Sequence, residues 1–255
     1  MIFQSKIKEI KSRRLQRQRQ AQKVAAFNQQ YRRLQEQEKS TQQRFKLIDR
    51  DLKPMLNDNT TKTSFDRHYI YHTAWAARAL KKTTPELHVD ISSTLYFCSI
   101  VSAFVPVDFY DYRPAELKLS NLTSKKADLT NLHFADSSVS SISCMHTVEH
   151  VGLGRYGDPL DYDGDIKAIN ELSRVLAKGG NLLFVVPVGR EAKIIFNAHR
   201  IYTKDLVTEL FASLELQEFA LIPEKASDGG LVDNPSSELL NHQNYACGCF
   251  RFTKK

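Results

Sequence analysis

The stretch PELHVDISSTLYFCSIVSAFVPVDFYD, residues 85–111, decides the fold. Its first apolar run, 87–91, is short and reads as a buried strand, and residues 95–104 follow with the length and apolar content of a helix. A second apolar run, 105–111, closes on an acid, Asp111. Strand, helix and strand in succession make a βαβ unit, which demands a parallel sheet with helices on its faces. The rest of the chain keeps the alternation. A short strand is expected at 127–129 and another at 139–145. A helix at 168–176 is expected to stop before Gly179 and Gly180, and a buried strand at 181–186 is bounded by Pro187. A helix at 203–211, a strand at 214–222 and a terminal strand at 244–252 complete it, the last without a readable direction. The expected class is α/β, a doubly wound sheet of about seven strands.

Upstream the composition changes. Residues 4–52 contain no Gly or Pro and are rich in Gln, Arg, Lys, Glu and Ala, which favour a long helix. The formal charge of +7 is concentrated there: residues 1–50 carry +10 and residues 51–255 carry −3. Val24, Phe27, Tyr31, Leu34, Phe45, Ile48, Leu52 and Met55 keep a three-four spacing interrupted by Glu38 and Thr41, a broken heptad of coiled-coil type. Three readings stay open for this basic helical arm, residues 1–55: packing against its own domain or a twin subunit, contact with an anionic membrane surface, and contact with nucleic acid, the last least favoured. Pro54 and the polar run 57–61 lead into the second domain, 56–255, whose first helix is expected from Ser64 onward.

No stretch approaches the roughly 18 apolar residues that span a bilayer, and residues 1–11 lack the apolar core of a secretory signal. The expected location is the cytoplasm, with the arm available for peripheral membrane contact. Cys98, Cys144, Cys247 and Cys249 fall in or beside apolar runs and read as reduced core residues. Cys247 and Cys249 have no second pair or His at ligand spacing, so no metal site is read from the sequence.

In a doubly wound sheet, ligands sit outside the carboxyl ends of the strands where strand order reverses. The first strand runs through Asp90 into Ser92, Ser93 and Thr94, where a nucleotide-binding turn usually has glycines. Small hydroxyl residues there can face a ligand or cap the next helix. Asp111 follows Asp90 by 21 residues, and a carboxylate at that point can accept hydrogen bonds from both ribose hydroxyls of an adenosine. Asp128 and Leu129 end the third strand, where an acid can accept from an adenine amino group; each acid also fits a solvated turn. The fourth strand delivers His146, Glu149 and His150, then a glycine-rich loop, 152–157, with Arg155 and with Asp158 just after it. A His near neutral pKa suits proton removal from a hydroxyl, with His150 the first candidate and His146 the second. His146 equally suits an adenine-site wall and His150 a helix cap. Asn197, His199 and Arg200 suit an anionic or sugar-bearing acceptor, or the tying down of their own loop.

The order of acid-ended first and second strands, Asp128-Leu129, Met145-His146-Thr147-Val148-Glu149-His150 and Arg174-Val175-Leu176-Ala177-Lys178-Gly179-Gly180 resembles class I S-adenosylmethionine-dependent methyltransferases over most of residues 85–255. His88-Val89-Asp90-Ile91, the run from His150 through Gly152, Gly154, Arg155, Tyr156, Gly157 and Asp158 to Pro159, and Phe196-Asn197-Ala198-His199-Arg200 resemble a narrower group. That group is an uncharacterised methyltransferase-like family, first catalogued as a domain of unknown function in nematodes and also bacterial. The resemblance implies a Rossmann-like fold and S-adenosylmethionine as cofactor. It implies cofactor contacts at Asp90, Ser92, Thr94, Asp111, Asp128, Leu129 and His146. Catalysis would fall to His150, Glu149, Arg155 and Asp158, and acceptor binding to Asn197, His199 and Arg200. Ser92 departs from the Gly that such families usually carry.

Two functions follow from this resemblance. One is O-methylation of a small-molecule acceptor, a saccharide or glycan precursor, since bacterial members of the resembling family associate with surface-polysaccharide genes. The other is a catalytically inactive methyltransferase-fold binding or scaffold protein that recruits partners through the basic arm. Nicotinamide-dependent reduction is disfavoured, because the glycine fingerprint for a pyrophosphate is missing.

Overall fold

A computed structural model describes residues 2–42 and 44–255; Met1 and Gln43 of the expected arm lie outside the described residues. The chain divides into two compact units, one ending at Ser64 and the other Phe65–Lys255. In the first, α1 (Ile2–Lys39) is shorter than the helix expected to residue 52. It stops where the Ser40 and Thr41 hydroxyls donate to the Gln37 carbonyl at 2.9 and 3.2 Å, because such local bonds compete with the helical ladder. The chain then doubles back along the helix. Leu47 N donates to Glu38 Oε1 at 3.0 Å, Tyr31 Oη to Asp49 Oδ1 at 2.6 Å and Lys23 Nζ to Asn57 Oδ1 at 2.8 Å. Among the described residues no helix is long and apolar enough to cross a membrane.

The second unit opens with α2 (Arg67–Thr83), which starts where the Asp66 carboxylate accepts from Tyr69 N at 3.1 Å, an N-cap. It continues with β1 (His88–Ile91), α3 (Leu95–Val101), β2 (Val107–Asp111), β3 (Leu122–Lys126) and β4 (Val139–Met145). Next come α4 (Gly164–Val175), β5 (Leu176–Val188), the small hairpin β6 (Lys193–Ile195) and β7 (His199–Ile201), and α5 (Lys204–Leu210). The chain ends with β8 (Leu214–Ile222), β9 (Val232–Asp233), α6 (Ser237–Asn241) and β10 (Ala246–Lys254).

Eight strands form one sheet in the order β3-β2-β1-β4-β5-β10-β8-β9, the expected seven plus the two-residue edge strand β9. The first five are mutually parallel, and β10 inserts antiparallel between β5 and β8, which settles its direction. Helices cover both faces. Trp75, Ala76, Ala79 and Leu80 of α2 and Phe97, Cys98 and Val101 of α3 pack on Phe109, Met145, Val185, Ala220 and Cys247. On the opposite face Ala168, Ile169 and Leu172 of α4, Val207 of α5 and Phe211 just after it pack on Ile142, Cys144, Leu182, Phe184 and Phe250. Alternate residues of each strand feed alternate layers, so both cores come from one apolar pattern. All four cysteines are free and buried.

Several expected boundaries move. The third strand is Leu122–Lys126 rather than 127–129, because Asp128 Oδ1 accepts from Thr130 N at 2.8 Å and turns the chain there. The helix expected at 168–176 begins at Gly164 and ends at Val175. Gly179 and Gly180 then lie inside β5, where the pairing with β4 shifts register, instead of stopping a helix. The helix after β1 ends at Val101, three residues short of the expected end.

Candidate active site

Strand order reverses at β1, which pairs with β2 on one side and β4 on the other. At the carboxyl ends of these strands lies a cavity of about 540 Å³, lined by Ser92, Thr94, Asp111, Asp128, Leu129, His146 and His150 among others. That volume lies in the range of roughly 300–1,000 Å³ usual for small-molecule sites.

The turn after β1 is held from several sides. Asp90 is fully buried behind it rather than on the cavity wall, with Oδ1 accepting from Ser93 N at 3.0 Å and Oδ2 from the Ser143 hydroxyl. Burial pushes the Asp90 carboxyl up, opposed by these hydrogen bonds. Ser92 stands at φ 56° and donates its N–H to Tyr110 O at 2.8 Å. The left-handed angle is the one glycine adopts freely, and serine accepts it here at a cost in backbone strain. Thr147 Oγ1 donates to Ser92 O at 2.9 Å, which ties the first turn to the fourth. Thr94 precedes α3 without a side-chain cap bond and faces the cavity.

Asp111 and Asp128 each keep one oxygen for a ligand. Asp111 Oδ1 accepts from Arg113 N at 2.7 Å, and Asp128 Oδ1 accepts from the Thr130 amide and hydroxyl at 2.8 and 2.7 Å. Their Oδ2 atoms have no partner among the described residues. An adenosine with its ribose toward Asp111 and its base toward Asp128 and Leu129 fits this donor and acceptor set, so the cavity suits S-adenosylmethionine.

The loop after β4 joins this cavity to a second one of about 490 Å³, lined by His68, Tyr69, His146, Glu149, His150, Arg155, Tyr156, His199 and Tyr245. His150 lines both. Its Nδ1–H donates to Ala198 O at 2.6 Å, leaving a lone pair on Nε2, and burial lowers its pKa below the usual imidazole range. His146 donates Nδ1–H to Glu149 Oε1 at 2.8 Å, and Glu149 is buried. Arg155 Nη1 donates to Ala198 O at 3.1 Å and its guanidinium lies 5.1 Å from the Tyr156 ring, on which Arg113 also stacks at 4.9 Å. His199 lines the second cavity, its pKa lowered by burial.

Besides Asp90, two expected site residues, Arg200 and Asn197, line neither cavity, and a third, Asp158, lines the first with its carboxylate engaged. Asp158 spends its carboxylate on the loop, accepting from Gly152 N at 2.7 Å and Tyr156 N at 3.2 Å. Arg200 is buried, donating to Val151 O at 2.6 Å and Tyr162 O at 2.9 Å with Asp165 3.5 Å away, so it fastens two loops and faces neither cavity. Asn197 lies exposed in the hairpin turn at φ 62° and lines neither cavity. Tyr69, Tyr156, Tyr245 and His68, absent from the expected set, do line one or both. Tyr69 and His68 sit in a helix that the sequence marks only as a sheet cover; Tyr156, inside the glycine-rich loop, carried the one usable signal.

This sheet order, with its antiparallel strand beside the parallel five and the cavity at the reversal point, is the Rossmann-like fold of class I S-adenosylmethionine-dependent methyltransferases. Two solved structures share it: the YcgJ protein from Bacillus subtilis, 14% identical with a TM-score of 0.51, covering 73% of this chain and 99% of its own; and the N-methyltransferase NodS from Bradyrhizobium japonicum, solved with S-adenosyl-L-homocysteine, 14% identical with a TM-score of 0.51, covering 79% and 91%. Residues 114–227 match the family described as "Caenorhabditis protein of unknown function, DUF268", in agreement with the resemblance read from the sequence. The matched range includes the glycine-rich loop and the 196–200 segment but not the first strand. No curated protein sequence matches the chain.

Proposed function

We propose that the chain is an S-adenosylmethionine-dependent methyltransferase that methylates a hydroxyl of a saccharide or glycan precursor. The observation that carries this reading is His150, which lines both cavities and whose Nδ1–H donates to Ala198 O, leaving the lone pair on Nε2. S-adenosylmethionine in the first cavity would supply the electrophilic methyl group. A hydroxyl in the second would lie across the junction, and His150 would take its proton as the oxygen attacks. Its lowered pKa keeps it unprotonated at neutral pH, as a base must be. Tyr69, Tyr156 and Tyr245 supply aromatic surface and hydroxyls to the second cavity, and Arg155 and His199 add polar groups. The basic arm would act apart from this chemistry, against an anionic surface or a second copy of the chain. A second reading, a binding protein without turnover, draws on Ser92 in a glycine-type conformation.

Calorimetric titration with S-adenosylhomocysteine, joined to methyl transfer assayed on a saccharide panel, tests both. Asp111→Ala is expected to weaken binding by about 1–3 kcal/mol, the usual cost of a lost ligand hydrogen bond. His150→Ala is expected to lower turnover by about a hundredfold or more with cofactor affinity nearly unchanged. No heat at millimolar ligand overturns the cofactor assignment, and binding without transfer to any acceptor favours the second reading.

A further inference from the structure

Two side chains that line the second cavity, His68 and His146, meet the buried Cys247 in a group that base chemistry at His150 leaves unused. One donor atom from each of His68, His146 and Cys247 lies within 4.8 Å of the other two. His146 gives its Nδ1–H to Glu149 Oε1 at 2.8 Å, so its Nε2 carries the lone pair, and that nitrogen is 3.4 Å from Cys247 Sγ. Two ligands on a tetrahedral zinc, with Zn–N of about 2.0 Å and Zn–S of about 2.3 Å, stand about 3.5 Å apart. The observed separation is close to that value before any adjustment to a metal.

The surroundings point the same way. Glu149 is buried, and among the described residues its Oε2 is unpartnered and its ion-pair contacts are His146 and, at 3.9 Å, His150. His72, buried with its ring 5.1 Å from that of His146, also has an unpartnered Nε2. A buried carboxylate without a guanidinium or ammonium, set among imidazoles, is costly in a metal-free protein. A divalent cation removes that cost. With Cys247 as thiolate, the ion and its sulfur carry one net positive charge, which the Glu149 carboxylate balances. The carboxylate–histidine–metal arrangement is also the usual way in which a ligand imidazole is oriented.

The geometry points to a zinc site formed by His68, His146 and Cys247, oriented by Glu149, with its open position toward the second cavity that His68 and His146 line. Binding displaces the Cys247 thiol proton to solvent and uses both imidazoles neutral. The site stands without the methyl-transfer reading; only the identity of an oxygen ligand at the open position rests on it.

The test uses the full chain, reduced, stripped with a chelator and titrated with Co²⁺ and with Zn²⁺ against a chromophoric competitor, without cofactor or acceptor. One equivalent of Co²⁺ is expected to give a thiolate-to-cobalt charge-transfer band and the intense visible bands of tetrahedral coordination. Cys249→Ser should retain them and Cys247→Ser should lose the charge-transfer band. His68→Ala should weaken Zn²⁺ by tenfold or more, and Glu149→Gln by about 10–100-fold, the range for losing a carboxylate behind a ligand imidazole. Absence of the charge-transfer band in the unaltered chain, or its survival in Cys247→Ser, overturns the site. If Cys247→Ser does not fold, His68→Ala decides, and unchanged zinc affinity in it overturns the site.

Discussion

His88 is a buried titratable residue that its surroundings hold neutral. It is fully buried in β1 between two hydroxyls, Ser141 Oγ 2.8 Å from Nδ1 and Ser143 Oγ 2.8 Å from Nε2. Because Ser143 donates to Asp90, His88 Nε2–H donates to Ser143, and Nδ1 accepts from Ser141. Both ring nitrogens are satisfied only while the imidazole is neutral, and burial lowers its pKa from 6.5 to about 3. A depressed histidine pKa means that the unfolded chain binds a proton the native state refuses. Its effect on stability is therefore absent above pH 6.5 and unfavourable below it, growing as pH falls toward 3. Urea unfolding followed between pH 4 and 6 should show a pH slope lower by about one proton in His88→Gln than in the unaltered chain; equal slopes would show that His88 titrates normally. At this scale Asp111 and Asp128 were legible in sequence, because an acid at a strand's carboxyl end has few other places to be. Asp90 and Arg200 are also charged residues near the same strand ends yet point into the protein, a difference set by the surrounding hydrogen-bond partners.

Among the elements, the loop after β4 depends on its glycines unequally. Gly152 has φ 79°, and a methyl group built on it would stand 2.0 Å from the Asp161 carbonyl oxygen. Gly157 has φ 83° and open space around it. Gly157→Ala should therefore cost roughly 1–2 kcal/mol, the left-handed penalty alone. Gly152→Ala must also separate the two chain segments that line the first cavity. It is expected to be the more destabilising in urea and to weaken S-adenosylhomocysteine by tenfold or more; equal effects of the two would remove the packing argument. The loop's importance was legible from its glycines, whereas the boundaries around it were less so. Gly179 and Gly180 resemble a helix stop in sequence, but β5 absorbs them as an irregularity because pairing with β4 resumes at Asn181.

For the whole molecule, the charge imbalance and the contact pattern argue that residues 1–64 are dispensable to the sheet. Among the described residues, the hydrophobic clusters on both sheet faces are built from residues 71–252. A chain of residues 65–255 is expected to unfold cooperatively and to bind S-adenosylhomocysteine within about twofold of the full chain, since it carries both of these clusters. Loss of cooperativity in circular dichroism would make the arm part of the domain's stability.

The sequence by itself determined the class of fold, since alternating apolar runs joined by helical segments leave few ways to bury both faces of a parallel sheet. It also placed Asp111, Asp128, His146 and His150 at strand ends, because the carboxyl edge of such a sheet gathers them at one side. The tertiary structure alone decided the second cavity and the group of side chains beside it. His68 lies in a helix before the sheet, His146 follows the fourth strand, and Cys247 lies in the terminal antiparallel strand, so no sequence spacing relates them. They meet because β10 inserts next to β5 while α2 packs across the same face of the sheet. Strand order and helix packing made that juxtaposition, and both arise from burial summed over the whole domain.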